Sequence, residues 1–178
     1  MEDRVIAKRY ARALVGSAKT TKNAWTIFGE LSEIWEILSL EKRLRQFMEL
    51  PNIDDEIKTG IMDSIALKER SPLLKRMVEK LIERGRLSVL PLILEYMEGE
   101  ICHLEGTQLV VARTARELKG ELKDRMTVIL KKKFGKKIRL KNIVDEDLIG
   151  GIRLDFGDRV VDGTIRGGLN ELQEILVG

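Results

Sequence analysis

The chain is short of the residues that most enzyme chemistry uses. Among its 178 residues there is one cysteine, Cys102, and one histidine, His103. A lone cysteine forms no internal disulfide and makes no zinc site by itself, which fits a reducing compartment. Adjacent helical positions point about 100° apart, so Cys102 and His103 do not converge on one ligand. His103 therefore reads as an ordinary surface or interface residue. No HExxH, CxxC or GxSxG is present, so zinc and nucleophilic catalysis both lack a constellation. The expectation is a protein without catalytic residues, metal or cofactor. Aromatic residues make up only 4%, and the enrichment in Leu, Ile, Glu, Lys and Arg points to helices rather than a β-sandwich. No uninterrupted apolar run approaches the roughly 18 residues of a membrane span. The opening MEDRVIAKRYARAL has no apolar segment behind its charges, so no secretory signal is expected, and the lack of a transit-like leader points to a bacterium.

What is present is ample material for a core, 43% hydrophobic residues, and a net charge of +3 that is unevenly placed. Residues 1–105 carry 17 basic against 18 acidic side chains, and residues 106–178 carry 15 against 11. Most of the excess lies between Lys119 and Lys141, with ten bases and two acids.

The first hundred residues read as consecutive amphipathic helices. Ala24, Trp25, Phe28, Leu31, Ile34, Trp35 and Leu38 form one stripe at three- and four-residue spacing. A short helical piece around Leu44, Phe47 and Met48 stops before Pro51. Asp54 can cap a helix whose buried face is predicted as Ile57, Ile61, Met62 and Ile65. Ser71-Pro72 opens a helix carrying Leu73, Leu74, Met77, Val78, Leu81 and Ile82, with Gly85 at its C-terminal end. Another helix runs from about Ser88 to His103, with Pro91 tolerated in its first turn. Short connections favour an antiparallel bundle.

Near residue 105 the period changes. Leu109 to Ala112 reads as a strand, and a helix follows from about Glu117 to Phe134. Its predicted face is Leu118, Leu122, Met126, Ile129 and Leu130, and Gly135 can end it. Ile138 and Leu140 alternate with Lys137, Arg139 and Lys141, the two-residue period of a half-buried strand. The expected fold is therefore mainly α: an N-terminal helical bundle over residues 1–105, then a small α+β domain over residues 106–178.

The stretch LIGGIRLDFGDRVVDGTIRGGLNEL, Leu148 to Leu172, is dense in glycine. A phosphate cradle needs a loop whose amides converge at a helix N-terminus. No GxxxxGK[ST] or GxGxxG occurs; Gly150-Gly151 precedes a strand, and Gly167-Gly168 falls inside a helix. Gly157-Asp158 reads as a two-residue hairpin turn, Asp162-Gly163 as a second turn, and Thr164 as the cap of a final helix. The glycines turn corners. Asp155, Asp158 and Asp162 are strand and turn residues rather than a metal cluster.

Two features leave alternatives open. On a helical wheel, Ile6, Tyr10, Ala13, Leu14, Ser17, Ala18, Ala7 and Ala11 cover about 160°, more than the roughly 100° that one neighbouring layer requires. The first helix is either buried on two sides or leaves a groove for a partner helix. The bases Lys131 to Lys133, Lys136 and Lys137 end a helix, where cations meet the dipole. They read as a solvated helix end or as a surface for an acidic partner, and Phe134 alone makes no base-stacking platform.

Three motifs in order resemble one family: VIAKRYARAL from Val5 to Leu14 with Ala18; FMELPNI from Phe47 to Ile53 with Lys58, followed by LIERGRLSVLPLILEYM from Leu81 to Met97; and the glycine-rich stretch above. Together they are similar to the delta subunit of bacterial F-type ATP synthases, the homologue of the mitochondrial oligomycin-sensitivity-conferring protein. Thr164 stands where that family usually has serine, which keeps a hydroxyl cap. The resemblance implies a six-helix N-terminal bundle on the catalytic head that grips N-terminal segments of the alpha subunits. It implies a C-terminal domain that holds the C-terminal helices of the b-type peripheral-stalk subunits. The role implied is a non-catalytic stator, at the cytoplasmic face of the bacterial cell membrane and attached only through the complex. The family's groove lies between its first and fifth helices, which here implies Tyr10, Ala13 and Leu14 with Met77, Val78 and Leu81. Gly150, Gly151, Gly157, Asp158, Asp162 and Gly163 are then the structural residues of the stalk-binding domain. The reading from a different class is a nucleic-acid-binding adaptor using the bases from Lys131 to Lys141.

Overall fold

The computed structural model describes residues 2–157 and 159–168. The chain divides into two compact units, Met1–Ile101 and Cys102–Gly178.

The first unit contains six α-helices, the last of which continues into the second unit: α1 (Glu2–Ser17), α2 (Thr21–Leu40), α3 (Lys42–Glu49), α4 (Asp55–Met62), α5 (Pro72–Glu83) and α6 (Leu90–Leu104). A π-helical turn, Asp63–Leu67, extends α4, and a 3-10 turn, Leu87–Val89, leads into α6. The boundaries follow local chemistry. The Thr20 side chain accepts a hydrogen bond from the Asn23 amide, and Ser71 from the Leu74 amide, with Pro72 at the first helical position. Gly85 takes a left-handed φ of +59° at the end of α5. Its amide donates to the Ile82 carbonyl and that of Arg86 to the Leu81 carbonyl, closing the last turn. Asp54 stands at the cap of α4 without a side-chain hydrogen bond; its carbonyl takes the first amides instead.

One hydrophobic cluster fills this unit. The α2 stripe contributes Ala24, Leu31, Ile34 and Leu38, with Trp25, Phe28 and Trp35 at the margin. Trp25 and Phe28 meet edge to face, with ring centroids 5.4 Å apart. On α4 the predicted face is displaced by one residue. Lys58, Met62, Ala66 and Leu67 point inward, whereas Ile57 is 52% exposed, Ile65 is exposed and Ile61 is half-buried. Lys58 is tolerated there because its ammonium donates to the Leu50 carbonyl at the end of α3 over 2.6 Å. That bond satisfies the buried charge, while the more apolar face stays out.

The second unit is a four-stranded sheet with one crossover helix: β1 (Thr107–Thr114), α7 (Gly120–Phe134), β2 (Lys137–Val144), β3 (Gly151–Asp155) and β4 (Val160–Thr164), in the order β2-β1-β3-β4. β1 and β2 are parallel and joined through α7; β3 pairs antiparallel with β1, and β4 with β3. Val110, Leu130 and Phe156 form the buried centre, flanked by Met126, Phe134, Ile138, Leu140 and Leu154. The rings of Phe134 and Phe156 lie 4.9 Å apart. Asn142 ties the sheet together: its amide nitrogen donates to the Ala112 carbonyl and the Thr114 hydroxyl, and its oxygen accepts from the Leu118 amide.

Two sequence expectations are corrected here. The predicted α7 face is only partly buried: Leu130 is inside and Leu118 and Met126 are half-covered, but Leu122 and Ile129 are exposed. Among the described residues the sheet covers only the side of α7 that carries Met126, Leu130 and Phe134. Asp162-Gly163 is not a turn but lies within β4, where Asp162 pairs with Arg153 and Gly163 with Ile152. β4 runs to Thr164, and a helix begins at Ile165.

Candidate partner interfaces

In the first unit, α1 buries Ile6, Ala7, Ala11, Leu14 and Val15, and Ala18 just beyond it is buried too. Its alanine side is therefore used by the bundle's own packing, where a small residue lets neighbouring backbones come close. Of the six groove residues, Leu14 is 2% exposed and Met77, Val78 and Leu81 are also buried, all in the same hydrophobic cluster. Tyr10 packs against that cluster half-buried, and Ala13 is exposed. Of the six, only Tyr10 and Ala13 therefore have side-chain surface to offer a partner, and the other four lie in the core. The outer side of α1 carries Arg12, whose Nε meets Glu100 of α6 at 2.9 Å. His103 is exposed near the end of α6, while Cys102 is buried.

In the second unit, the glycine-rich stretch is explained by close backbone approach. Gly151 has φ +87°, and a Cβ there would lie 2.3 Å from the Gly163 carbonyl oxygen and 2.7 Å from the Thr164 Cα. Any side chain would separate β3 from β4. Gly163 is similarly tight, 3.2 Å from the Ile152 carbonyl oxygen, and a Cβ on Gly150 would meet the Ile165 side chain at 2.9 Å. Gly157 takes φ +89° beyond β3, and the Asp155 carboxylate accepts its amide hydrogen bond. The Phe156 amide donates to the Arg159 carbonyl across that turn, and Asp158 lies outside the described residues.

Asp162 sets the start of the last helix. Its Oδ1 accepts from the Thr164 hydroxyl at 2.7 Å and from the Thr164 amide at 2.9 Å. The Thr164 hydroxyl oxygen in turn accepts from the Gly167 amide at 3.0 Å, as a helix cap does. The Thr164 hydroxyl, then its amide, hold the Asp162 carboxyl below the ordinary carboxylate value, with a further contribution from Arg153. The helix begun at Ile165 is described as far as Gly168, so Leu169, Leu172, Ile175 and Leu176 of its expected face lie outside the described residues. A surface pair, Lys119 with Glu117 at 2.9 Å, raises the lysine pKa through the hydrogen bond and the opposite charge.

Periodicity had no signal for Lys58 or Asn142, because a buried polar residue looks like a solvated one until its partner is known. For Lys58 the family motif ending in lysine was the available clue.

No helix among the described residues is long and apolar enough to cross a membrane. Comparison with known proteins adds the identity. The family model for the ATP synthase delta (OSCP) subunit matches residues 6–176, across both units. "ATP synthase subunit delta" of Geobacillus sp. (strain WCH70) is 30% identical over the full length of both chains. The protein of the same name from Geobacter sp. (strain M21) is 33% identical, covering 99% of this chain and 98% of its own. A chain in the cryo-EM structure of the Toxoplasma gondii mitochondrial ATP synthase hexamer shares the fold, with a TM-score of 0.67 at 19% identity and 97% of each chain covered. A match that spans both units in order, with the glycines accounted for by strand contact, leads to one conclusion: the chain belongs to the ATP synthase delta (OSCP) subunit family.

Proposed function

We propose that the two units divide the work of a stator. Family membership supplies the coarse role: a non-catalytic peripheral-stalk subunit that links the catalytic head of an F-type ATP synthase to the stalk. In the finer reading, residues 1–105, the helical bundle, hold N-terminal segments of the head's alpha subunits against α1 and α5. Residues 106–178 hold the C-terminal helices of the b-type stalk subunits. The protein sits at the cytoplasmic face of a bacterial membrane and touches that membrane only through the complex. The observation that carries this reading is the family match across both units, residues 6–176.

The proposed head contact is Tyr10, Ala13 and Leu14 with Met77, Val78 and Leu81, four of which are buried in the bundle. A tie that outlasts many rotor turns requires roughly nanomolar affinity, about −12 kcal/mol. The informative variant is therefore on the surface. Ala13→Glu, in an exposed position, should leave the helical signal intact and weaken binding to an alpha N-terminal peptide by about tenfold or more. Unchanged peptide affinity in a folded Ala13→Glu chain would exclude this surface as the head contact.

A further inference from the structure

In α4 and the turn that follows it, local pattern and tertiary packing disagree. Lys58 is 4% exposed and Ile57 52%, so a cation lies inside while the isoleucine beside it lies out. The helix then widens into the π-helical turn Asp63–Leu67, a form that often marks functional sites. The widening has a packing consequence. In a regular α-helix Leu67 would stand about 140° from Met62, on the outer side. A π turn takes more residues per revolution, so Ala66 and Leu67 both come inside and Ile65 stays out. The Arg70 Nε donates to the Ala66 carbonyl at 3.3 Å and braces the end of that turn.

The apolar spacing fits a second register equally well. Were α4 to run on as a regular helix and turn by roughly 75°, Ile57, Ile61, Met62 and Ile65 would face the bundle. Lys58 would then reach water. The exchange trades Ala66 and Leu67 for Ile57 and Ile65, a gain of about three buried side-chain carbons. Against it stands one hydrogen bond from a charged donor, Lys58 Nζ to the Leu50 carbonyl at 2.6 Å, with the Asp55 carboxylate 4.0 Å away. The two terms are of the same order, so a single contact is enough to decide. We infer that the Lys58–Leu50 bond is a register lock: it holds α4 and its π turn with the isoleucine ridge outside, and α4 turns that ridge inward when the bond is lost. Such an element shows or withdraws an apolar ridge without unfolding the bundle. A conflict between local pattern and fold is where two-state behaviour is expected. The inference is independent of the stator reading.

The test uses the full chain carrying one added cysteine, Ile57→Cys, Ile65→Cys or Ala66→Cys, with Lys58 intact or replaced in Lys58→Glu. Thiol labelling rates are read site by site by peptide mass mapping, with buried Cys102 as the internal reference. With Lys58 intact, positions 57 and 65 should label at least about tenfold faster than position 66, following their exposure. A glutamate carboxylate cannot donate to the Leu50 carbonyl. In Lys58→Glu the order should therefore invert, with 57 and 65 slowed about tenfold and 66 accelerated. Tryptophan fluorescence in urea should still show a cooperative transition. Adding Ile57→Ser and Ile65→Ser to Lys58→Glu should abolish that transition, whereas the same pair alone should leave the wild-type midpoint nearly unchanged. A folded Lys58→Glu chain with the wild-type labelling order would overturn the lock. Loss of the cooperative transition in Lys58→Glu alone would show that no second register exists and overturn it as well. A triple variant as stable as Lys58→Glu would do the same, because the isoleucines would then not hold the second register.

Discussion

In the N-terminal unit 25 hydrophobic residues are buried in one cluster, whereas in the C-terminal unit the corresponding cluster has three among the described residues. The smaller unit nevertheless leaves Leu122, Val128, Ile129, Val144, Ile149, Val160, Val161 and Ile165 exposed. The larger unit exposes Val5, Leu40, Leu50, Ile57, Ile65 and Leu73, but its helices bury most of their stripes on each other. Among the described residues of the second unit, the sheet covers only part of α7 and α7 only part of the sheet. The first unit is thus held mainly by side-chain packing. The second depends more on backbone fit, seen in the Gly151–Gly163 approach and the Asn142 hydrogen bonds. For a stator the contrast is coherent, since apolar surface left open by a small domain is available to a partner.

The contrast can be broken by one substitution made twice. Leu14→Asp buries a charge in the bundle and should cost about 4 kcal/mol or more, whereas Leu122→Asp on α7 should change stability by less than about 0.5 kcal/mol. Both tryptophans, Trp25 and Trp35, lie in the first unit, so their fluorescence in a urea titration reports Leu14→Asp directly. Equal losses in the two variants would refute the assignment of Leu14 to the core and of Leu122 to the surface. The same comparison makes Leu14 unsuitable for probing partner binding, because its loss would be read as unfolding.

A smaller effect tests backbone fit. Gly151→Val combines a left-handed φ with a clash against the Gly163 carbonyl, and should destabilise the second unit by about 2–4 kcal/mol. Amide exchange in β3 and β4 should accelerate while tryptophan fluorescence stays as in the wild type. If stalk binding and β-strand protection survived in Gly151→Val, the structural role given to this stretch would fall.

The smallest expected effect is acid sensitivity of the last helix start. The Asp162 carboxyl is held below its ordinary value of 3.8 in the folded chain. Its stabilisation is therefore complete above that value and is lost as pH falls through the lower folded pKa. Exchange at the Thr164 and Gly167 amides, corrected for intrinsic rates, should rise over that acid window, and Asp162→Ala should abolish the pH dependence. Protection that ignores pH in the wild type would remove the carboxylate from the cap.

Much of this was legible beforehand, and the exceptions are specific. Ser71-Pro72, Gly85 and Gly135 marked helix ends because a hydroxyl cap, a proline ring and a left-handed glycine act within one turn. The hairpin glycine Gly157 was legible for the same reason, whereas Asp162-Gly163 was misread because a strand that needs a small residue for close approach resembles a turn. On α4, Met62 is buried as expected, but Ile57 and Ile65 were misread because they outrank Lys58 and Ala66 in hydrophobicity and nothing local reveals the Leu50 carbonyl that accepts the lysine. For the proposed head-binding surface, sequence pattern and resemblance named six residues but could not separate exposed Ala13 and half-buried Tyr10 from the four in the core.

By itself, then, the order of amino acids determined the succession of helices and strands, the change of architecture near residue 105 and the family, since these rest on interactions between near neighbours and on motif order. Only the tertiary structure decided which apolar faces are buried and which remain open. Burial is a competition for limited partner surface between separate elements: Lys58 of α4 has a place inside through the Leu50 carbonyl at the end of α3, whereas Leu122 and Ile129 of α7 remain exposed.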